Sequence, residues 1–387
     1  MATITVPGAN STIVSNNFGT PANTALAQSI ATTLNGLLAS GALNIASVAG
    51  GGVAPPPPGP PPPFAFRELE ITSGGVVNVP LGYGFLVDGS MGANLTVTGG
   101  PSFFGGDGNI NYTNTSVGSA SITAGNGSDT FNLSGNYAVA AGNGFDHYNL
   151  SGTGQVSLGS GSNLVTITGG ADTVFAGATP GPTGIIGGSG AVFFYANNSP
   201  TQTLDVITGG TQGATVVGAA NNVLVYNSPS TGGADNPGAL LVAGLGNETL
   251  FGAPSQTNDQ LYGSFTGGND VLFAGTGKDH LVAGSGQTSL IGGTGQDTFE
   301  VVNSQLLSAI TKTAVTPGVD FLYNTRAGET LNLSGFDTLY GAANSGAAAK
   351  AVKAAIAGGA HSVTLKDGTQ ITFASPTGAN GISINSS

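Results

Sequence analysis

The chain has 387 residues, no Cys or Trp, 67 Gly, and nineteen Asp and Glu against seven Lys and Arg, a formal net charge of −12. That balance excludes a nucleic-acid or anionic-membrane partner, because phosphates are held by Lys and Arg. The missing Cys excludes disulfides, thiol catalysis and Cys-based zinc sites.

Residues 1–66 carry no Asp, Glu, Lys or Arg, and six of the seven basic residues lie from Lys278 onward. Residues 1–22 read as short extended segments, TITV and STIV, broken by Pro7, Gly8 and Asn10. Residues 23–39 read as a helix capped by Asn23 or Thr24. Leu26, Ile30, Leu34, Leu37 and Leu38 fall on one face at helical spacing. That stripe needs a partner, either another part of the chain or another subunit. The first residues lack a basic start followed by an apolar run, so no cleaved secretory signal is read. No stretch of eighteen apolar residues occurs, and no membrane insertion is expected.

The run VAPPPPGPPPPF holds eight prolines. It favours polyproline II, a stiff spacer, over residues 54–63. It ends an uncharged arm, 1–53. From 64 to 340 short β-type runs such as ELEIT, NLTVT, GAVFFY and ALLVAG alternate with Gly, Asn, Asp, Thr and Ser, which reads as one long β domain. The FF pairs Phe103-Phe104 and Phe193-Phe194 must send one ring to each side of a strand. Residues 341–358 are an Ala-rich helix with Lys350 and Lys353. HSVTLKDGTQITF follows as a hairpin turning at Asp367-Gly368, so 341–387 form a helical and β cap.

Self-similarity is the strongest signal. Four nonapeptides run without a gap over 265–300: FTGGNDVLF, AGTGKDHLV, AGSGQTSLI and GGTGQDTFE. Position four is always Gly. Position six reads Asp270, Asp279, Thr288, Asp297, and position eight Leu272, Leu281, Leu290, Phe299. Weaker copies place Asp129, Asp146, Asn163, Asp172 and Glu248 in the sixth slot, and Asp337-Thr338-Leu339 reads as a last degenerate copy. Glycines suit the turn, and position eight points inward while seven and nine point out. His147 and His280, both at position seven, are therefore read as solvent-facing.

These repeats resemble the glycine-rich nonapeptides of the RTX (repeats-in-toxin), or hemolysin-type calcium-binding, family, whose pattern is a known β-helix calcium repeat. The resemblance implies an all-β fold, a parallel β-roll or β-helix solenoid, with two nonapeptides per coil of eighteen residues. It implies Ca²⁺ held between acids eighteen apart, Asp279 and Asp297 above all, because calcium takes six to eight oxygens in irregular geometry. Asp270 faces neutral Thr288, so the two edges should differ. Asp129 and Asp146, seventeen apart, form a second candidate pair, and Asp172 finds no acid behind it. Few ions are expected, with apolar stacking and Asn or Thr ladders holding the rest. The resemblance also implies type I secretion through an uncleaved C-terminal signal.

No G-x-S-x-G, H-E-x-x-H or P-loop occurs, and Tyr83, Gly84, Phe85 and Asp88 lack the His and second acid of a sugar-active site. The expectation is an extracellular, non-enzymatic structural protein. It would polymerise through its arm and solenoid edges into a layer, filament or biofilm matrix. The alternative is an adhesin or module for cell-surface glycan, and behind it a polysaccharide-active enzyme.

Overall fold

A computed structural model of the chain describes residues 1–56, 66–90, 92, 94–97, 100–114, 118–177, 181–196, 206–208, 213–218, 223–225, 238–254, 258–341, 345–374 and 381–387. Most of the proline run, 57–63, lies outside them. The chain forms two compact units, Met1–Phe193 and Phe194–Ser387, and each is a parallel β-solenoid.

In the first unit β1 (Ala2–Pro7) and β2 (Ile13–Phe18) pair as an antiparallel hairpin. Asn10 and Ser11 turn it at positive φ, 55° and 64°. Helix α1 (Pro21–Ala39) starts earlier than the apolar stripe indicates. Thr20 is its cap: the Thr20 hydroxyl accepts the Asn23 N–H, and the Asn23 side chain accepts the Thr20 N–H. Pro21 fits the first helical position because its ring presets φ and it lacks a donor that would go unused there.

The stripe packs on its own chain. Ile30 and Leu34 are buried, with Leu26 and Leu37 beside them, against Ile4, Val6, Val14, Phe85, Val87 and Phe104. Leu38 is 48% exposed and ends the stripe. Phe103 and Phe104 do point to opposite sides of their strand, yet both are fully buried. Phe103 fills the solenoid and Phe104 meets Phe18 of the hairpin edge-on at 5.2 Å.

The coil then begins. Strands β3 (Leu43–Val48), β4 (Phe66–Ile71) and β6 (Phe85–Asp88) start one sheet, and β5 (Val76–Val79) starts the other. From β4 onward successive strands of this unit alternate between the two sheets, and each pairs in parallel with the strand two elements on. Leu95, Tyr112, Phe131, Tyr148, Val165 and Ile185 lie in register on successive rungs and are buried. The Phe131 and Tyr148 rings stack at 5.2 Å. Period-two alternation makes this column, since every second side chain of each strand faces the interior.

The second unit repeats the plan with aliphatic columns. Leu241, Leu261, Leu281, Phe299, Leu331 and Ile384 stack in one sheet. Leu250, Leu272, Leu290, Leu322 and Phe373 stack in the other. Position eight of the repeat is therefore the inward one. The strand texture is interrupted by α2 (Ser304–Thr311), which the repeat pattern did not indicate. Asn303 caps it by accepting the Gln305 and Leu306 N–H groups.

Asp337 is not a sixth-slot acid. It opens the short helix α3 (Asp337–Tyr340), and its carboxylate accepts amide N–H groups of Gly346 and Ala348 at the start of α4 (Ala347–Ala357). The strand Ser362–Thr364 and the strand Gln370–Phe373 form the expected hairpin. Among the described residues no helix is long and apolar enough to cross a membrane.

Candidate functional site

The acidic residues converge at the corners of the coil. Asp259, Asp279 and Asp297 each precede a strand of one sheet and stack in register. Their side chains are buried. Each carboxylate does two jobs. One oxygen accepts the N–H of the rung before: Ala239 to Asp259 at 2.8 Å, Asp259 to Asp279 at 2.8 Å, Asp279 to Asp297 at 3.1 Å. The other accepts an N–H of its own turn: Ala253 at 2.6 Å, Gly275 at 2.7 Å and Gly293 at 2.7 Å. Buried amides need partners, and a two-oxygen acceptor at each corner supplies both.

Asp270 and Thr288 occupy the matching corner of the other sheet. Asp270 accepts the Glu248 N–H at 3.1 Å and the Ser264 N–H at 2.6 Å. The Glu248 carboxyl lies close to that of Asp270. Asp320 lies next to Thr288 on the following rung. The two edges thus differ, as the loss of the acid at position 288 indicates.

The first unit carries a similar column: Asp129, Asp146, Asn163 and Thr183 on successive rungs. Oδ1 of Asp129 accepts the Ile110 N–H at 2.9 Å, and Oδ1 of Asp146 accepts the Asp129 N–H at 3.0 Å. Here the second job is undone. The turn amides of Gly125 and Gly142 bond instead to the Gly106 and Gly125 carbonyls. Oδ2 of Asp129, Oδ2 of Asp146 and Oδ1 of Asn163 are consequently buried without hydrogen-bond partners. The Tyr148 hydroxyl approaches Asp146 without closing a hydrogen bond.

Asp172 stands apart, in the opposite sheet. It stacks on Gly154, whose N–H it accepts at 2.9 Å, and takes the Tyr137 hydroxyl. No acid lies behind it, in keeping with the spacing.

Burial raises these acids. Asp129 reaches about 8, from burial and then the nearby Asp146 charge, against the pull of the Ile110 amide. Asp146 reaches about 7 and Asp172 about 6, both from burial. Asp279 is pushed to about 7 by burial and by Asp259 and Asp297, with two amides opposing. Burial also raises Asp270. Fourteen of the nineteen acidic side chains are buried, so the negative charge is not a surface coat. Asp107, Glu300 and Asp367 are half-buried, while Asp205 and Asp235 lie outside the described residues.

His280 is half-exposed and its Nε2 meets Glu300 at 2.9 Å. His147 packs edge-on against the exposed ring of Phe145, centroids 4.9 Å apart. Each meets an acid column only through its backbone, the His147 N–H donating to the Asp129 carbonyl and the His280 N–H to the Asp259 carbonyl, both at 2.8 Å.

The corner residues Asp259, Asp320 and Glu329 escaped the motif reading because their turns depart from nine residues. A signal existed: each precedes an inward leucine by two, as in Asp259-x-Leu261, Asp320-x-Leu322 and Glu329-x-Leu331.

Calcium needs an oxygen cage. At Asp279 and Asp297 every carboxylate oxygen already faces an N–H group, so the donors point where the ion would sit and the fit is poor. The Asp129–Asp146–Asn163 column fits better, with buried unpartnered oxygens on three successive rungs. Among the described residues no group of three or more His, Asp or Glu has metal-binding geometry, so backbone carbonyls and water must complete any shell there. No protein-family model, curated protein or solved structure matches the chain.

Proposed function

We propose that this is an extracellular structural protein, a calcium-binding solenoid that assembles with copies of itself into a layer, filament or matrix. The supporting observation is the open edge of β3. It is the terminal strand of its sheet, with β4 its one strand partner. The bonds from Phe66 to Ala42 and from Thr72 to Val48 fix its register. They turn the N–H and C=O groups of Leu43, Ile45 and Ser47 away from β4, and among the described residues nothing pairs with them.

A free edge of this kind templates strand addition unless a charge, a proline or a bulge guards it. LNIASV has none. Ile45 also lines a hollow of about 480 Å³ with Ile13 and Leu38, both exposed. No charged side chain lies in residues 1–66, so two copies can approach on this face without opposing charges.

Calcium belongs to the Asp129–Asp146 column in this reading. Export follows from the resemblance to RTX repeats, with α4 and the terminal hairpin in the signal region.

Sedimentation and electron microscopy of the full chain, with and without calcium, test the proposal. Ser47→Pro removes an outward donor and leaves the β3–β4 ladder intact. The expected result is ordered assembly of the wild type and at least a tenfold loss in the variant. A wild type that stays monomeric at high concentration with calcium overturns the reading.

A second reading, a glycan-binding module, is favoured by a shallow trough of about 330 Å³ in the first unit. Thr113, Asn132, Asn149, Ser134, Ser151 and Thr168 line it, and Asn149, Asn132 and Thr113 are chained by side-chain hydrogen bonds. Binding to insoluble polysaccharides, lost in Asn132→Leu with Asn149→Leu, supports that reading instead.

A further inference from the structure

The seat of the N-terminal arm contains a group that packing alone does not explain. Glu68 lies on β4 in register between Ile45 and Phe85, which belong to the apolar cluster under the arm. It is fully buried, and neither carboxyl oxygen has a hydrogen-bond partner. Two residues on, Glu70 holds the arm directly, its Oε2 accepting the Ala9 N–H at 2.6 Å. The hairpin, α1 and β3 bring no ionisable side chain to this surface. On the sheet side the neighbours are Glu70 and Arg67 on β4, Tyr83, and Asp88 on β6, whose buried carboxylate binds Ser90.

The arm is joined to the coil by three residues, Ser40–Ala42, with Gly41 at φ +70°. Short hinges of this kind favour exchange of an element between identical chains. The seat also ends in polar contacts that any copy would reproduce: Asn23 Nδ2 donates to the Ala124 carbonyl at 3.0 Å, and the Thr123 hydroxyl donates to the Asn23 carbonyl at 3.2 Å.

We propose that residues 1–42 are an exchangeable latch, which leaves its own sheet when Glu68 ionises and docks in the same seat on a second copy. The proposal rests on the assembly reading and names its partner and its control. Burial, then the Glu70 charge, raises Glu68 to about 8 with the arm in place. With the arm away it returns to the ordinary value near ~4.5. Opening therefore releases a proton. The open fraction rises about tenfold per pH unit between those values and levels off above them, about a hundredfold from pH 5 to 7. Docking in cis and docking in trans bury Glu68 alike. The pH consequently sets how fast arms exchange, and acid locks whichever partner is held.

The native absence of Cys allows a clean test. A side chain at Gly19 would lie 2.9 Å from Asn143 Nδ2. Full-length Gly19→Cys and Asn143→Cys copies are mixed at pH 5, 6, 7 or 8, returned to pH 5 and joined with a short thiol-reactive linker. The chain carrying both substitutions shows that the linker reaches in cis. The expected result is a heterodimer forming about a hundred times faster at pH 7 than at pH 5, with that slope flattened in a Glu68→Gln background. No heterodimer at any pH, while the double variant links in cis, overturns exchange. An unchanged slope in Glu68→Gln overturns its control by this carboxyl. Ordered assemblies that persist without heterodimer sink the latch and leave the assembly reading standing.

Discussion

Asp270 and Thr288 sit side by side on adjacent rungs of one sheet, and the hydroxyl oxygen of Thr288 accepts the Gly284 N–H at 3.3 Å. The neutral residue thus does, with one longer bond, the turn-closing work that Asp279 does for Gly275 at 2.7 Å. An acid at position 288 would stand between Asp270 and Asp320, both buried and both raised. The interruption of the repeat spares the corner a third buried charge.

Thr288→Val keeps the shape and removes the acceptor. It should cost about 1–2 kcal/mol, the penalty of one buried N–H left unpaired. Thr288→Asp should be tolerated at pH 5 and destabilised at pH 8. Denaturant midpoints at the two pH values measure both effects.

Asp279→Ala strands the Asp259 and Gly275 amides together. A loss of about 2–4 kcal/mol is expected, with Asp279→Asn recovering part of it because one acceptor oxygen remains. Guanidinium unfolding checks the order wild type, Asn, Ala. Equal stability of all three would show that the carboxylate carries no structural role.

Stability should fall as the solution becomes more alkaline. Asp129, Asp146 and Asp279 hold folded values of about 8, 7 and 7, against ~4 when unfolded. A raised acid binds its proton more tightly in the fold, so its contribution is full below the unfolded value and is lost as pH rises through the folded one. Melting temperature should drop by at least about 5 °C from pH 5 to pH 8, and Asp129→Asn with Asp146→Asn should shrink the drop. Melting curves across that range decide it.

Calcium should raise the melting temperature of the wild type at pH 8, where the first-unit column is most ionised. Asp129→Asn with Asp146→Asn should abolish the rise, and Asp279→Asn with Asp297→Asn should leave it. The reverse pattern would move the ion to the second unit.

Gly144→Ala probes the close approach of the turns. A methyl group there would land on the Gly127 carbonyl oxygen, and the Gly161 turn stacks above it in the same way. The rungs would have to part, so a loss of about 3 kcal/mol is expected, at the upper end of what overpacked cores show. A soluble, native-like variant with unchanged melting would contradict this stacking.

The coil was legible because one repeat position carries one physical task. Leu272, Leu281, Leu290 and Phe299 had to face the same way, and they do. The pairing of Asp279 with Asp297 was legible from their spacing. What surrounds them was not, because hydrogen-bond direction depends on whether a turn amide looks at its own aspartate, as Gly275 does, or at the rung before, as Gly125 does. Asp259 and Asp320 were hidden by turns of irregular length. The arm was legible as a helix, but a lone apolar stripe does not say what it covers. Phe104, placed outward by alternation, proved to be part of its seat.

The inward turning of the carboxyl groups has a consequence for how the folded molecule moves in an electric field. Its mobility is set by the charges that remain ionised and reach the surrounding salt. Near pH 6 Glu68 and Asp129 are still mostly protonated and most other acids are enclosed. The native protein should migrate toward the anode more slowly than a net charge of −12 implies.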